Sequence, residues 1–346
     1  MSQVVVAGHI CLDLAPRLPR HPRIRPGELV EVGEMAMSAG GCVANTGRTL
    51  SALGADVRLT ADTGDDPMSG ALRRILDDEG MDTAGLASIP GATTSYSIVL
   101  EPPGEDRTFW HHVGANAHFD GSGVDVSGAD IVHVGYPSVL PALLPGGAAP
   151  LCRLLERARH NQAMTSLDLA VVDPDSSAGG HDWNDLLRRV LPFVDVFSPS
   201  VDDLASALRT PPEREPESLA AMAERLLRYG AAVVAISAGD RGMVLASAGR
   251  ARLESGPLAA LGPEWADRRV WMPSVPAGPA VTTTGAGDAA TAGLLVGLVA
   301  ERSPEEALAL AVRTASLHIA ERLTAGGDEL PLDAGSARDV VSGNAE

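Results

Sequence analysis

A doubly wound α/β fold, with a mostly parallel sheet flanked by helices, is the architecture this sequence predicts, and three observations carry the prediction. Short apolar runs bounded by turn residues recur along the 346 residues. Helical apolar spacing fills most of the intervals between them. The two alternate, strand then helix, which is the order of parallel strands joined by crossover helices.

The first run, residues 4–7, is VVVA and ends at Gly8. Residues 57–61, 131–134, 164–169, 194–197 and 232–237 repeat the theme, and such continuous runs fit strands buried on both faces. Helices are predicted over residues 44–53, 68–79, 151–161, 186–191 and 219–229. Two stronger helical patterns close the chain, over 288–302 and 305–323, with Pro304 opening the second. Two stretches break the alternation. Residues 17–38 are rich in Pro and Gly, then alternate through Leu29, Val30, Val32 and Met35; residues 94–113 read as a hairpin with its turn over 102–106. Together they predict a small sheet outside the main one, a lid. Residues 211–217 read as a loop and the tail from 342 as frayed.

Composition narrows the chemistry. The net charge is −18, and all 27 basic residues are Arg. Without a Lys there is no Walker A loop, no protein-kinase strand Lys and no Schiff-base enzyme in the usual form. The acidic balance argues against nucleic acid, and four Phe, four Trp and three Tyr supply few stacking platforms. Three cysteines, Cys11, Cys42 and Cys152, lack the spacing of a zinc site or a disulfide framework. No apolar stretch approaches the ~20 residues of a membrane span, and the first ten residues do not read as a secretion signal. A cytoplasmic protein is expected. At 45% hydrophobic, the chain can bury a large core in one big domain or two smaller ones.

The sharpest local feature is Thr282-Thr283-Thr284-Gly285-Ala286-Gly287-Asp288, followed directly by an apolar helix. A helix N-terminus offers unpaired N–H groups and partial positive charge, which suit a transferring phosphoryl group. Asp288 beside it either accepts a proton from an attacking hydroxyl or simply caps the helix. A second cluster runs from Ser38 through Gly40, Gly41 and Asn45 into another helix; the glycines let a ligand approach backbone, and Asn45 both donates and accepts. Asp13 follows the first strand, where α/β sheets place ligands. A third cluster, Ser237-Ala238-Gly239-Asp240-Arg241-Gly242, marks a tight turn after a strand.

In this order, Gly-x-x-x-x-Asp at Gly8 and Asp13, Gly-Gly-x-x-Ala-Asn ending at Asn45, GDDPMSGALRRILDDEGMD at residues 64–82, Gly-x-Arg-Gly ending at Gly242 and TTGAGD ending at Asp288 resemble the PfkB/ribokinase family of carbohydrate kinases. The resemblance covers essentially the whole chain. It implies a single ribokinase-like domain over residues 1–341, lid segments at about 14–38 and 93–114, and a tail at 342–346. It implies that Asp288 is the base, that Gly285, Ala286 and Gly287 form the anion hole, and that Asp13, Gly40, Gly41 and Asn45 bind sugar hydroxyls. Ser237, Gly239, Gly242 and Thr284 fall along the nucleotide. ATP and Mg²⁺ are the implied cofactors, and a homodimer through the lid the implied assembly.

Three departures qualify it. Ser200 and Asp203 replace the Asn and Glu of a family Asn-x-x-Glu element, leaving Asp203 to act on Mg²⁺ through water. Thr282 replaces an Asp associated with a monovalent-cation site, so no K⁺ requirement is expected. Cys42 and Gly135 stand where ribose kinases have Lys and Glu, which weakens ribose in particular. Substrate-side candidates outside the shared motifs are Arg107, which suits a carboxylate or phosphate, His111 and His112, and Asn116. With few cations there, a neutral or mono-anionic sugar is expected. A nucleoside or vitamin precursor, or a non-catalytic sugar-binding relative, are the alternatives.

Overall fold

The computed structural model describes residues 2–22, 25–103, 107–323 and 337–340. Its first strand, β1 (Gln3–Gly8), alternates Val5 and Ala7 toward one core and Val4 and Val6 toward another. This strand is therefore apolar on both sides, as the sequence predicts for a central parallel strand. The chain continues through β2 (Cys11–Pro16), β3 (Met35–Gly40), α1 (Gly41–Ala52), β4 (Asp56–Gly64), α2 (Pro67–Asp78), β5 (Leu86–Ile89), β6 (Tyr96–Leu100), β7 (Thr108–His112) and β8 (Ile131–Gly135). Next come α3 (Pro145–His160), β9 (Met164–Leu167), α4 (Trp183–Val190), β10 (Val196–Phe197), α5 (Val201–Leu208), α6 (Pro216–Arg228), β11 (Val233–Ser237), β12 (Gly242–Ser247) and α7 (Arg250–Leu253). The last described elements are β13 (Arg269–Pro273), α8 (Ala286–Val299), α9 (Pro304–Ile319) and β14 (Arg338–Asp339).

Ten strands form the main sheet in the order β14-β13-β12-β11-β10-β9-β8-β1-β4-β5. The pairs from β5 to β11 are parallel, and β12, β13 and β14 add antiparallel strands at one edge. Leu50 of α1, Leu72 of α2, Leu294 of α8 and Leu308 of α9 cover one face. Leu154 of α3, Leu186 of α4, Leu204 of α5 and Ala223 of α6 cover the other. From β1 the chain first builds outward through β4 and β5, then returns to the other side of β1 with β8. The crevice beyond the carboxyl ends of β1 and β8 is therefore a topological switch point, where such sheets bind ligands.

The second sheet has four strands in the order β3-β2-β6-β7. The predicted hairpin is β6 and β7, in register from Tyr96↔His112 to Leu100↔Thr108. Residues 104–106 of its expected turn, and the tail at 342–346, lie outside the described residues. Several boundaries differ from the sequence reading. Helix α1 begins at Gly41, three residues before the apolar periodicity starts. In α3, Gly146, Gly147 and Ala148 are left-handed, so regular helix begins close to the predicted start at 151. Helix α5 and the strands β12 and β13 were not anticipated, being short and, for the strands, antiparallel.

Candidate active site

The site starts from Gly8, whose φ of 125° and approach to Gly135 leave no room for a side chain; a Cβ there would stand 2.5 Å from the Gly135 carbonyl oxygen. The chain then swings from the main sheet into β2, placing His9 and Asp13 over the crevice. Asp13 is buried, receives the Cys11 thiol at 3.2 Å, and has its pKa raised by burial. A Cβ on Gly40 would fall 2.1 Å from Asp13 Oδ2, and one on Gly41, at φ 84°, 2.6 Å from His9 Nδ1. Both glycines are thus required by close approach. Their immediate neighbours are the candidate substrate groups.

Helix α1 carries the next two residues inward. Asn45 Nδ2 donates to Oδ2 of Asp288 at 3.0 Å, and Thr46 Oγ1 donates to Oδ1 at 3.0 Å. Tyr136, just beyond β8, donates its hydroxyl to Oδ2 at 2.8 Å. Asp288 is only 1% exposed and makes no capping bond to α8. The capping alternative for this residue therefore finds no support in its side-chain geometry. Burial raises its pKa, opposed by the Tyr136, Asn45 and Thr46 hydrogen bonds and by His318.

Gly285 precedes α8 with φ 80° and is hemmed in by His318 and Asn45. The first helical bond is Ala289 N–H to Gly285 O at 2.9 Å. The N–H groups of Gly287 and Asp288 lie before it, in the turn that offers donors to an anion. A His318 ring nitrogen lies 2.7 Å from the Thr284 carbonyl oxygen and braces this turn from α9.

Two further carboxylates face Asp288. Asp168, just past β9, is pushed well up in pKa by burial, then by Asp203 and Asp288. Asp203 is raised to about 6, chiefly by burial. Its Oδ2 accepts the Ser200 hydroxyl at 2.6 Å and N–H at 2.9 Å, closing a capping box on α5. Ser200 in turn bridges Ser237. Gly239 (φ 62°) and Gly242 (φ 124°) shape the turn beyond β11. Among the described residues no cluster of three or more His, Cys, Asp or Glu is arranged to hold a metal ion directly.

The small sheet meets this crevice with one face. Asp13 pairs Ser97 and Ser97 pairs His111 across the strands, so the three side chains share that face. The Ser97 hydroxyl is 3.1 Å from His111 Nδ1. The His111 ring packs edge-on to His9 at 5.0 Å between centroids. Burial lowers the pKa of His9, and the desolvation of its ring side lowers that of the partly exposed His111 to about 4, so both rings are neutral at pH 7. The two ring nitrogens of His9 are buried with no hydrogen-bond partner among the described residues.

Two expected substrate ligands lie elsewhere. Asn116 is fully buried and donates to the Ile10 carbonyl at 2.8 Å; it fixes the turn that carries His9 rather than facing the crevice. Arg107 reaches Thr283, donating to its hydroxyl and, at 3.1 Å, to its carbonyl oxygen, beside the turn that opens α8. His9, Thr46 and Asp168 join the cluster without a sequence signal for their place in it, and Tyr136, which the sequence offers only as an aromatic wall for a nucleoside, instead donates to Asp288. The signal for Asp168 is an acidic residue one position before the end of an apolar run.

A model of the pfkB family carbohydrate kinases matches residues 1–329. The chain is 26% identical to an ATP-dependent ribose-1-phosphate kinase of Halopiger xanaduensis, over 60% of its own length and 64% of that relative. It is 26% identical to a fructokinase of Klebsiella pneumoniae, over 90% of this chain and 89% of that one. The solved structure of Arabidopsis thaliana ribokinase with ribose and ATP superposes with a TM-score of 0.68, covering 97% of each chain at 22% identity. With a family match running from the first strand through α9, the chain belongs to the pfkB family of carbohydrate kinases.

Proposed function

We propose that the protein is an ATP-dependent sugar kinase in which Asp288 is the base. The observation that supports this best is a buried carboxylate, held by three donors, in the first turn of a helix whose N-terminus can take an anion. A primary or anomeric hydroxyl placed against Asp288 loses its proton to the carboxylate as its oxygen bonds to the γ-phosphorus of ATP. The bond from that phosphorus to the β,γ-bridging oxygen breaks, and ADP leaves. Backbone N–H groups around Gly285, Ala286 and Gly287 would stabilise charge on the transferring group. Arg107, drawn to Thr283, supplies cationic charge that a chain without lysine must take from arginine. Asp203 would hold a hydrated Mg²⁺, which supplies charge neutralisation on the phosphates. Ser237, Gly239, Gly242, Thr284 and Ser200 would line the nucleotide.

The acceptor is an unphosphorylated polyol. Asp13 and Asp288 are carboxylates, His9 and His111 are neutral, and Arg48 spends its guanidinium on Glu79 at 2.8 Å and Asn45 at 3.3 Å. A second phosphate would meet negative charge there. The small sheet of β2, β3, β6 and β7 acts as a lid that excludes water, which competes as acceptor. Its outer face is the surface through which two copies associate.

The test is ADP formation from ATP across D-ribose, D-fructose, ribose 1-phosphate and a purine nucleoside. Turnover is expected with a neutral sugar, and Asp288→Asn should reduce it by about 10²–10⁴-fold, the usual worth of a general base. Undiminished turnover in that variant overturns the role of Asp288. Preference for ribose 1-phosphate overturns the neutral acceptor.

A further inference from the structure

Tyr136 follows β8 with φ 64°, a left-handed conformation in which a bulky residue is an outlier. Such strain persists only where surrounding contacts over-determine it. Here the backbone is pinned on both sides: the Tyr136 N–H donates to the Asp168 carbonyl at 3.2 Å, and its own carbonyl accepts the Val139 N–H at 3.0 Å. The ring lies 5.8 Å from that of His9. The hydroxyl ends on Asp288 Oδ2, a residue 152 positions later in the chain.

We propose that Tyr136 is a positioning residue for the phosphoryl-transfer base, its hydroxyl fixing Oδ2 of Asp288 and holding the carboxylate in its proton-accepting form. The proposal rests on reading Asp288 as the base. Each carboxylate oxygen has two lone-pair directions. Tyr136 and Asn45 use those of Oδ2, while Thr46 uses one on Oδ1. One direction on Oδ1 is left for an acceptor hydroxyl, and the carboxylate is prevented from rotating away from it.

The other groups around Asp288 set the demand for such a donor. From α1 come Asn45, Thr46 and the Cys42 thiol, from β2 Asp13, from beyond β9 Asp168, from α5 Asp203, and from α9 His318. Three carboxylates and burial oppose a charged Asp288; His318 and the three donors favour it. Removing the hydroxyl leaves the anion two donors in a buried, acidic setting.

The experiment follows Asp288 directly, in the full chain labelled with ¹³C at aspartate Cγ and titrated by NMR, with the signal assigned by its loss in Asp288→Asn. Tyr136→Phe keeps the ring and should raise the titration midpoint by about one pH unit, the worth of one hydrogen bond to a charged group. The acid limb of kcat/KM, measured on a sugar that turns over, should rise by the same amount. Replacing Tyr136 with 2,3-difluorotyrosine, a stronger donor of nearly the same shape, should lower the midpoint. This variant also keeps the test decisive if Tyr136→Phe fails to fold. A midpoint unmoved by either replacement, with Asp288→Asn inactive, overturns the role of Tyr136 alone. Undiminished phosphate transfer by Asp288→Asn overturns the base reading, whatever the Tyr136 variants do.

Discussion

Asp168 bears the same pressures as Asp288 with less relief. It is 4% exposed, accepts the Leu169 N–H at 2.7 Å, and faces Asp203 and Asp288. Its folded-state pKa therefore lies above the unfolded carboxylate value. A carboxyl of this kind contributes stability that is complete below its unfolded pKa and is lost as pH rises through the folded one. Asp168→Asn imitates the protonated form. Thermal melts should show the variant about 3 °C more stable than wild type at pH 8, with the difference shrinking toward pH 4; an equal shift at both pH values contradicts this. At this scale the sequence exposed residues that closely follow glycine-marked turns, such as Asp13, Asn45 and Asp288. It did not expose Thr46, nor the tie from Tyr136 to Asp288, because these contacts exist only once α1, β8 and α8 converge, across 242 and 152 positions of the chain. Nor could it show that Asn116 is consumed by the Ile10 backbone.

Among the elements, α8 illustrates how a glycine's worth depends on its neighbour. Ten of its residues are buried, and it crosses α9 closely enough that a Cβ on Gly293 would stand 2.7 Å from Thr314 Oγ1 and 2.8 Å from the Leu310 carbonyl oxygen. Gly70, inside α2, has nothing within 4 Å of its would-be Cβ. Alanine is the better helix former by about 1 kcal/mol in either place. Chemical denaturation should show Gly70→Ala stabilising by up to about that amount, and Gly293→Ala destabilising by about 1–3 kcal/mol because overpacking wins. Gains in both would mean that α8 and α9 can separate freely. The long elements were legible because their apolar periodicity reports burial directly. Helix α5 was not, since its eight residues offer barely two turns and its capping box, Ser200 with Asp203, resembled a damaged ligand motif instead.

For the whole molecule, the register of the small sheet separates two surfaces. Asp13, Ser97 and His111 look into the crevice, while Met37, Leu14, Ile98 and Trp110 lie in line on the opposite face. Met37 is 56% and Trp110 46% exposed. An apolar row on an outward sheet face supports the proposed dimer. Light scattering on the eluting protein should give twice the chain mass, and Met37→Glu with Trp110→Glu should return it to one; a monomeric wild type refutes the dimer. The join between β3 and α1 has a further consequence. Strand β3 ends at Gly40 against Asp13, and α1 starts at Gly41 and reaches Asp288 through Asn45 and Thr46. The small sheet and the partners of Asp288 are thus carried on one uninterrupted segment of chain. In recombination between relatives, the segment from residue 35 to residue 52 would have to travel as a block, because a crossover inside it would join one protein's packing around Asp13 to another's hydrogen bonds on Asp288.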